Sequence, residues 1–121
     1  MILVIDFGSQ FTQLVARRIR ELSVYSEIVA FNSAKERISE LKKQNLLSGI
    51  IFSGGPHSVY EKDSPKIDLD IEALGVPVLG VCYGLQLINH MLGGVVAPSK
   101  NREYGFEKII VEKNISPLNP L

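Results

Sequence analysis

One cysteine in 121 residues leaves no partner for an internal disulfide. Whatever Cys82 does, it does as a thiol. Charge of either sign is not in excess: thirteen basic and thirteen acidic side chains cancel, so no overall field is directed at nucleic acid or an anionic membrane. Long apolar runs are also missing. The N-terminal run over residues 2–5 is too short for a signal-peptide core or a membrane span, so the expectation is a cytoplasmic chain with no membrane partner. Repeats, low-complexity stretches and metal-ligand spacings are lacking, and no metal is expected. The one basic cluster, Arg17, Arg18 and Arg20, falls on an amphipathic helical pattern and reads as a solvated face.

What is present is enough apolar material for a core. With 45% hydrophobic residues, the length and composition predict one globular domain. Its most informative stretch is Gly80-Val81-Cys82-Tyr83-Gly84, set between a strand-like run (residues 76–81) and a helix-like run (residues 85–92). A G-x-C-x-G turn has the mechanics of a nucleophile elbow: small residues on both sides let the chain bend sharply and lift the central side chain above the sheet. The start of the following helix supplies unpaired N–H groups that favour an anion.

Taken in order, residues 1–5 read as a strand buried on both faces, ending at Asp6. Ser9 reads as a helix N-cap, with Phe11, Leu14, Val15, Ile19 and Leu22 forming one apolar stripe on the helix it opens. Residues 25–31 read as a second strand. Ser33 with Glu36 forms a capping-box signature before a helix that buries Ile38 and Leu41. Residues 49–52 are a third strand, leading into the loop Ser53-Gly54-Gly55-Pro56. Pro65 reads as the first residue of a short helix carrying Ile67, Ile71 and Leu74, with Gly75 just past its end. Beyond the elbow helix, Gly93-Gly94 stops the pattern, and residues 95–97 and 106–111 read as strands. Strands alternating with helices predict an α/β, flavodoxin-like, doubly wound fold: a mostly parallel sheet with helices on both faces. Ligands then bind at the carboxyl ends of the strands, where the Asp6, Ser53 and Cys82 loops converge.

Acyl transfer through a thiol needs a nucleophile, two oxyanion donors and an oriented base. Cys82 supplies the first. The backbone N–H groups of Tyr83 and Gly55 are the candidate donors, glycine permitting close backbone approach. Gln86, one helical turn past Cys82, could grip a polar substrate. The base is harder to find. His90 is eight residues on, about 12 Å along a helix, and His57 beside the glycine loop would have to turn back toward the thiol. The glycine loop also lacks the Gly-Lys-Ser/Thr ending of a phosphate loop.

In DFGSQFTQLVARRIREL, SGGPHSV, GVPVLGVCYGLQ and the REYG at residues 102–105, the sequence resembles the triad-type, class-I glutamine amidotransferases, most closely the N-terminal domain of the GMP synthases. The match runs essentially end to end. The resemblance implies that Cys82 attacks the side-chain amide of glutamine, with Gly55 and Tyr83 as oxyanion donors and Gln86 as a glutamine-binding residue. It implies as partner a synthetase domain or subunit that aminates XMP with the released ammonia. ATP and Mg belong to that domain, and no cofactor is implied for this one. The family's catalytic His and Glu come from a His-Pro-Glu segment that this chain does not contain. Residues 1–121 are therefore expected to be the N-terminal part of a single amidotransferase domain, without the synthetase domain, prone to self-association and inactive alone. Two other readings are open at this point: a redox- or stress-sensing thiol in a non-catalytic flavodoxin-like domain, or a non-enzymatic fragment that regulates a full-length partner. A sensor needs neither an oxyanion hole nor a glutamine grip.

Overall fold

Residues ILVID show no polar alternation, and in the computed structural model, which describes residues 1–97, they form β1 (Ile2–Asp6) in the interior of a sheet. On one side β1 pairs in parallel with β2 (Ser26–Ala30), and on the other with β3 (Gly49–Phe52). The fourth strand, β4 (Val78–Gly80), pairs in parallel with β3, giving the order β2-β1-β3-β4. Leu3, Val4 and Ile5 are completely buried, as a strand covered on both faces requires. The fold is the α/β, flavodoxin-like arrangement expected.

Pleating sorts the core into two layers. Leu3 and Ile5 stand in register with Ile50 and Phe52 and share one cluster with Ala34, Ile38, Leu41, Tyr83 and Leu87. That layer is covered by α2 (Ala34–Lys43) and α3 (Tyr83–Met91). Val4 points the other way, toward the face covered by α1 (Thr12–Glu21), which packs on β1 and β2. The strand order reverses between β1 and β3, so the loops after these two strands splay apart and open a crevice at their carboxyl ends.

Several local expectations are corrected. The stripe on α1 is out of phase: its fully buried residues are Thr12 and Ala16, whereas Phe11, Leu14 and Leu22 are exposed. Counting apolar letters missed a threonine whose hydroxyl is satisfied internally and an alanine small enough to lie against the sheet. Ser9 does not cap the helix; it accepts a bond from the N–H of Phe11 at 3.0 Å in the loop before it. Ser33 occupies the N-cap of α2 without making a side-chain cap bond, because a 3₁₀ turn over Phe31–Ser33 already leads into the helix.

The helix expected at Pro65 is absent. Residues 65–70 form no helix, and from Pro65 to Ile71 the side chains alternate, with Ile67, Leu69 and Ile71 packed on the core and Lys66, Asp68 and Asp70 outward. PKIDLDI has period two, the signature of an extended segment. Only Glu72–Leu74 forms a 3₁₀ turn, closed by Gly75 at φ 70°. Residues 95–97 form no strand, and Val95 is exposed. The strand expected at 106–111 and the REYG segment lie outside the described residues. Arg20 is not simply solvated: its guanidinium donates to the carbonyl of Ser26 at 3.0 and 3.3 Å, while Arg18 meets Glu21 at the surface. Among the described residues, no helix is long and apolar enough to cross a membrane.

Candidate active site

The elbow forms because three backbones meet with no room for side chains. A Cβ at residue 80 would lie 2.6 Å from Leu85 Cα, and one at residue 84 would lie 2.0 Å from the carbonyl oxygen of Phe52. Glycine at both positions lets β4 turn into α3 while the helix rests on the end of β3. The N–H of Val81 donates to Phe52 O at 2.9 Å, the N–H of Gly84 to Val81 O at 2.9 Å, and the N–H of Leu85 to Cys82 O at 3.1 Å. Between these bonds Cys82 is held at φ 52°, ψ −116°. An L-residue there costs on the order of 1–3 kcal/mol, which the surrounding contacts must over-determine. The strain lifts an exposed thiol to the mouth of the crevice.

That crevice is a cleft of about 410 Å³ lined by residues 8–11, 54–56 and Cys82. It lies where the strand order predicts it, between the loops that follow β1 and β3. Gly54 lies beside the Cys82 side chain: a Cβ built on it would be 3.4 Å from Cys82 Cβ. Gly55 sits so tightly on the preceding loop that a Cβ would be 2.5 Å from Phe7 O. Phe7 itself is anchored by edge-on contact with Tyr83 and tilted contact with Phe52, at centroid distances of 5.4 and 5.7 Å.

The structure thus brings Cys82 and Gly55 to one cleft, with Tyr83 at the first position of α3, where its N–H has no carbonyl one turn back to bond. The Tyr83 side chain goes elsewhere. It is buried, its hydroxyl donates to the carbonyl of Pro65, and burial pushes the phenol above its ordinary range. Gln86 does not line the cleft; its Oε1 accepts the N–H of Val59 at 3.1 Å, tying the loop after Pro56 to the elbow helix.

Neither histidine borders the cleft. His57 Nδ1 lies 3.3 Å from Glu61 Oε2, and His90 lines a separate hollow with Lys66, Leu87 and Met91. Among the described residues, no group of His, Cys, Asp and Glu is arranged to hold a metal ion. What sequence reading missed is the polar support beneath the cleft, where Asp6, Thr12 and Ser53 meet. A threonine on the inward side of α1 was the available signal.

The sequence model of the family described as glutamine amidotransferase class-I matches residues 3–117. Among curated proteins, the chain is 55% identical over 104 residues to a protein named GMP synthase [glutamine-hydrolyzing] from Enterococcus faecalis, covering 86% of this chain and 19% of that protein. Proteins of the same name from Caldanaerobacter subterraneus and Aquifex aeolicus are 51% identical over 114 residues and 55% over 112. They are covered to 22% and 21% of their length, and this chain to 94% and 93%. The chain spans about a fifth of the length of the curated relatives it matches.

Proposed function

The chain belongs to the class-I glutamine amidotransferases, and from that premise we propose that Cys82 is the nucleophile that releases ammonia from glutamine. The observation that carries this reading is a strained, exposed thiol facing a glycine loop across a cleft at the sheet's switch point.

In the proposed reaction the Cys82 sulfur attacks the side-chain amide carbon of glutamine, forming a C–S bond as the carbonyl π electrons move to oxygen. The N–H groups of Gly55 and Tyr83 receive that oxyanion. Protonation of the amide nitrogen lets the C–N bond break and ammonia leave, and water then clears the glutamyl thioester as glutamate. A sulfur that only sensed oxidants would have no use for a glycine loop lining the same cleft, from which Gly55 could offer a backbone donor. By likeness to the GMP synthases, the ammonia is destined for a synthetase domain or subunit that aminates XMP to GMP, and ATP and Mg serve that domain.

The reading is tested by labelling with a chloroketone analogue of glutamine. The thiolate adds to its carbonyl, developing an oxyanion, before displacing chloride. Labelling confined to Cys82, slowed by free glutamine and abolished in Cys82→Ser, is expected. Labelling that glutamine does not slow would overturn the assignment.

A further inference from the structure

Beneath the cleft lies a buried pair of hydroxyls that the proposed reaction does not use. Thr12, the first residue of α1, and Ser53, the residue after β3, are both almost fully buried, with Thr12 Oγ1 and Ser53 Oγ 3.1 Å apart. Ser53 directs two donors at one acceptor: its N–H and its hydroxyl reach Ile5 O at 3.1 and 2.6 Å. Thr12 Oγ1 donates to Asp6 Oδ1 at 2.9 Å, and the same carboxylate oxygen receives the N–H of Gly8 at 2.9 Å. Two hydroxyl protons thus serve three contacts. Thr12 gives its proton to the Asp6 carboxylate, and because the backbone N–H of Ser53 already serves Ile5 O, the Ser53 hydroxyl proton is shared between Ile5 O and Thr12 Oγ1.

These bonds join the two walls of the cleft. Asp6 precedes Phe7, whose carbonyl abuts Gly55, and Ser53 leads through Gly54 to Gly55 from the other side. Asp6, Thr12 and Ser53 do not themselves border the cleft. We propose that Thr12 is a positioning residue for acyl transfer at Cys82: bridging Asp6 and Ser53, its hydroxyl fixes the placement of the Gly55 N–H relative to the thiol. The proposal rests on the reading of Cys82 as the glutamine nucleophile. Displacing an oxyanion donor by on the order of 1 Å costs roughly 100-fold in rate, while simple alkylation of sulfur develops no oxyanion and is indifferent to it.

The test compares two reagents on the full chain: the chloroketone glutamine analogue, whose kinact and KI are read separately, and iodoacetamide. Thr12→Val keeps the shape and removes the hydroxyl. It is expected to lower kinact for the chloroketone by about tenfold or more, leaving KI and iodoacetamide labelling within about twofold. Thr12→Ser should restore the wild-type ratio. If Thr12→Val does not melt cooperatively, Ser53→Ala takes its place with the same expectation of a selective loss. Equal slowing of both reagents, no slowing of either, or failure of Thr12→Ser to restore kinact overturns the positioning role while leaving Cys82 as nucleophile. Wild-type labelling that glutamine does not slow overturns both.

Discussion

Gln86 Oε1 receives the backbone N–H of Val59 at 3.1 Å, across 27 positions of chain. This bond joins the elbow helix to the segment that leaves the glycine loop, and it occupies the carbonyl half of the amide. Val59 is buried, so Gln86→Ala leaves an N–H without its acceptor. The expected loss is about 1–3 kcal/mol of stability, read as a lower denaturant midpoint. Gln86→Glu separates this role from substrate binding, because it keeps an acceptor for Val59 and removes the Nε2 donor. It should hold the wild-type midpoint yet raise KI for the glutamine chloroketone several-fold. Equal KI values for wild type and Gln86→Glu would take Gln86 out of substrate binding.

The two kinds of glycine in this chain predict opposite sensitivities. Gly84 has Phe52 O where its Cβ would be, at 2.0 Å, whereas Gly75 has nothing within 4 Å and needs glycine only for its φ of 70°. Gly84→Ala must push α3 off the end of β3 and should abolish cooperative unfolding or lower the midpoint severely. Gly75→Ala should cost only about 1 kcal/mol, the penalty of a left-handed L-residue. Comparable urea midpoints for the two variants would show that the elbow is looser than its contacts imply.

The contrast also explains how far the sequence could be read. The β1 and β3 strands, the glycine loop and the elbow were legible because each depends on local signals: an unbroken apolar run, or small residues at a turn. Residues 65–71 were misread as helix because Pro65 and the terminal Gly75 outweighed a strict alternation that was in plain view. The Asp6, Thr12 and Ser53 support was not legible, since it joins residues 6, 12 and 53 through side-chain bonds that only the strand order brings together. Gln86 was placed on the expected helix, but its bond to Val59 depends on a loop path that no periodicity encodes.

Acid should loosen the junction of β2 with α2. The Arg37 guanidinium forks onto Glu27, with Nη2 donating to Oε1 at 2.7 Å, and also donates to Glu40 at 2.9 Å. The hydrogen bond from Arg37 holds the Glu27 carboxyl below its ordinary value of 4.5, and Glu27 in turn pushes Arg37 further above its own. A carboxyl depressed in the folded state contributes stability that is full above the unfolded value. That contribution is lost as pH falls from about 4.5 through the lower folded value. Glu27→Gln should therefore melt below wild type at pH 7, with the gap closing as pH drops toward 3. A gap that does not change with pH would assign the pair's effect to packing.

Reactivity and turnover at Cys82 have separate structural origins, and the chain of residues 1–121 should possess the first without the second. Reaction with a small electrophile needs an exposed sulfur at the mouth of an open cleft, and the elbow between β4 and α3 supplies that with bonds made within residues 52–85. Turnover of glutamine needs in addition an acid for the departing ammonia and a base for the water that clears the thioester. The chain holds two histidines. His90 lines a different hollow, and the Nδ1 of His57 faces Glu61. Members of a catalytic unit act together, so a thiol that neither histidine serves should turn glutamine over several orders of magnitude more slowly, even with the nucleophile and the proposed oxyanion donors in place. Iodoacetamide should label Cys82 stoichiometrically, while ammonia release from glutamine stays at the level of Cys82→Ser. Substantial Cys82-dependent ammonia release that vanishes in His57→Ala would overturn this and make His57, oriented by Glu61, the base.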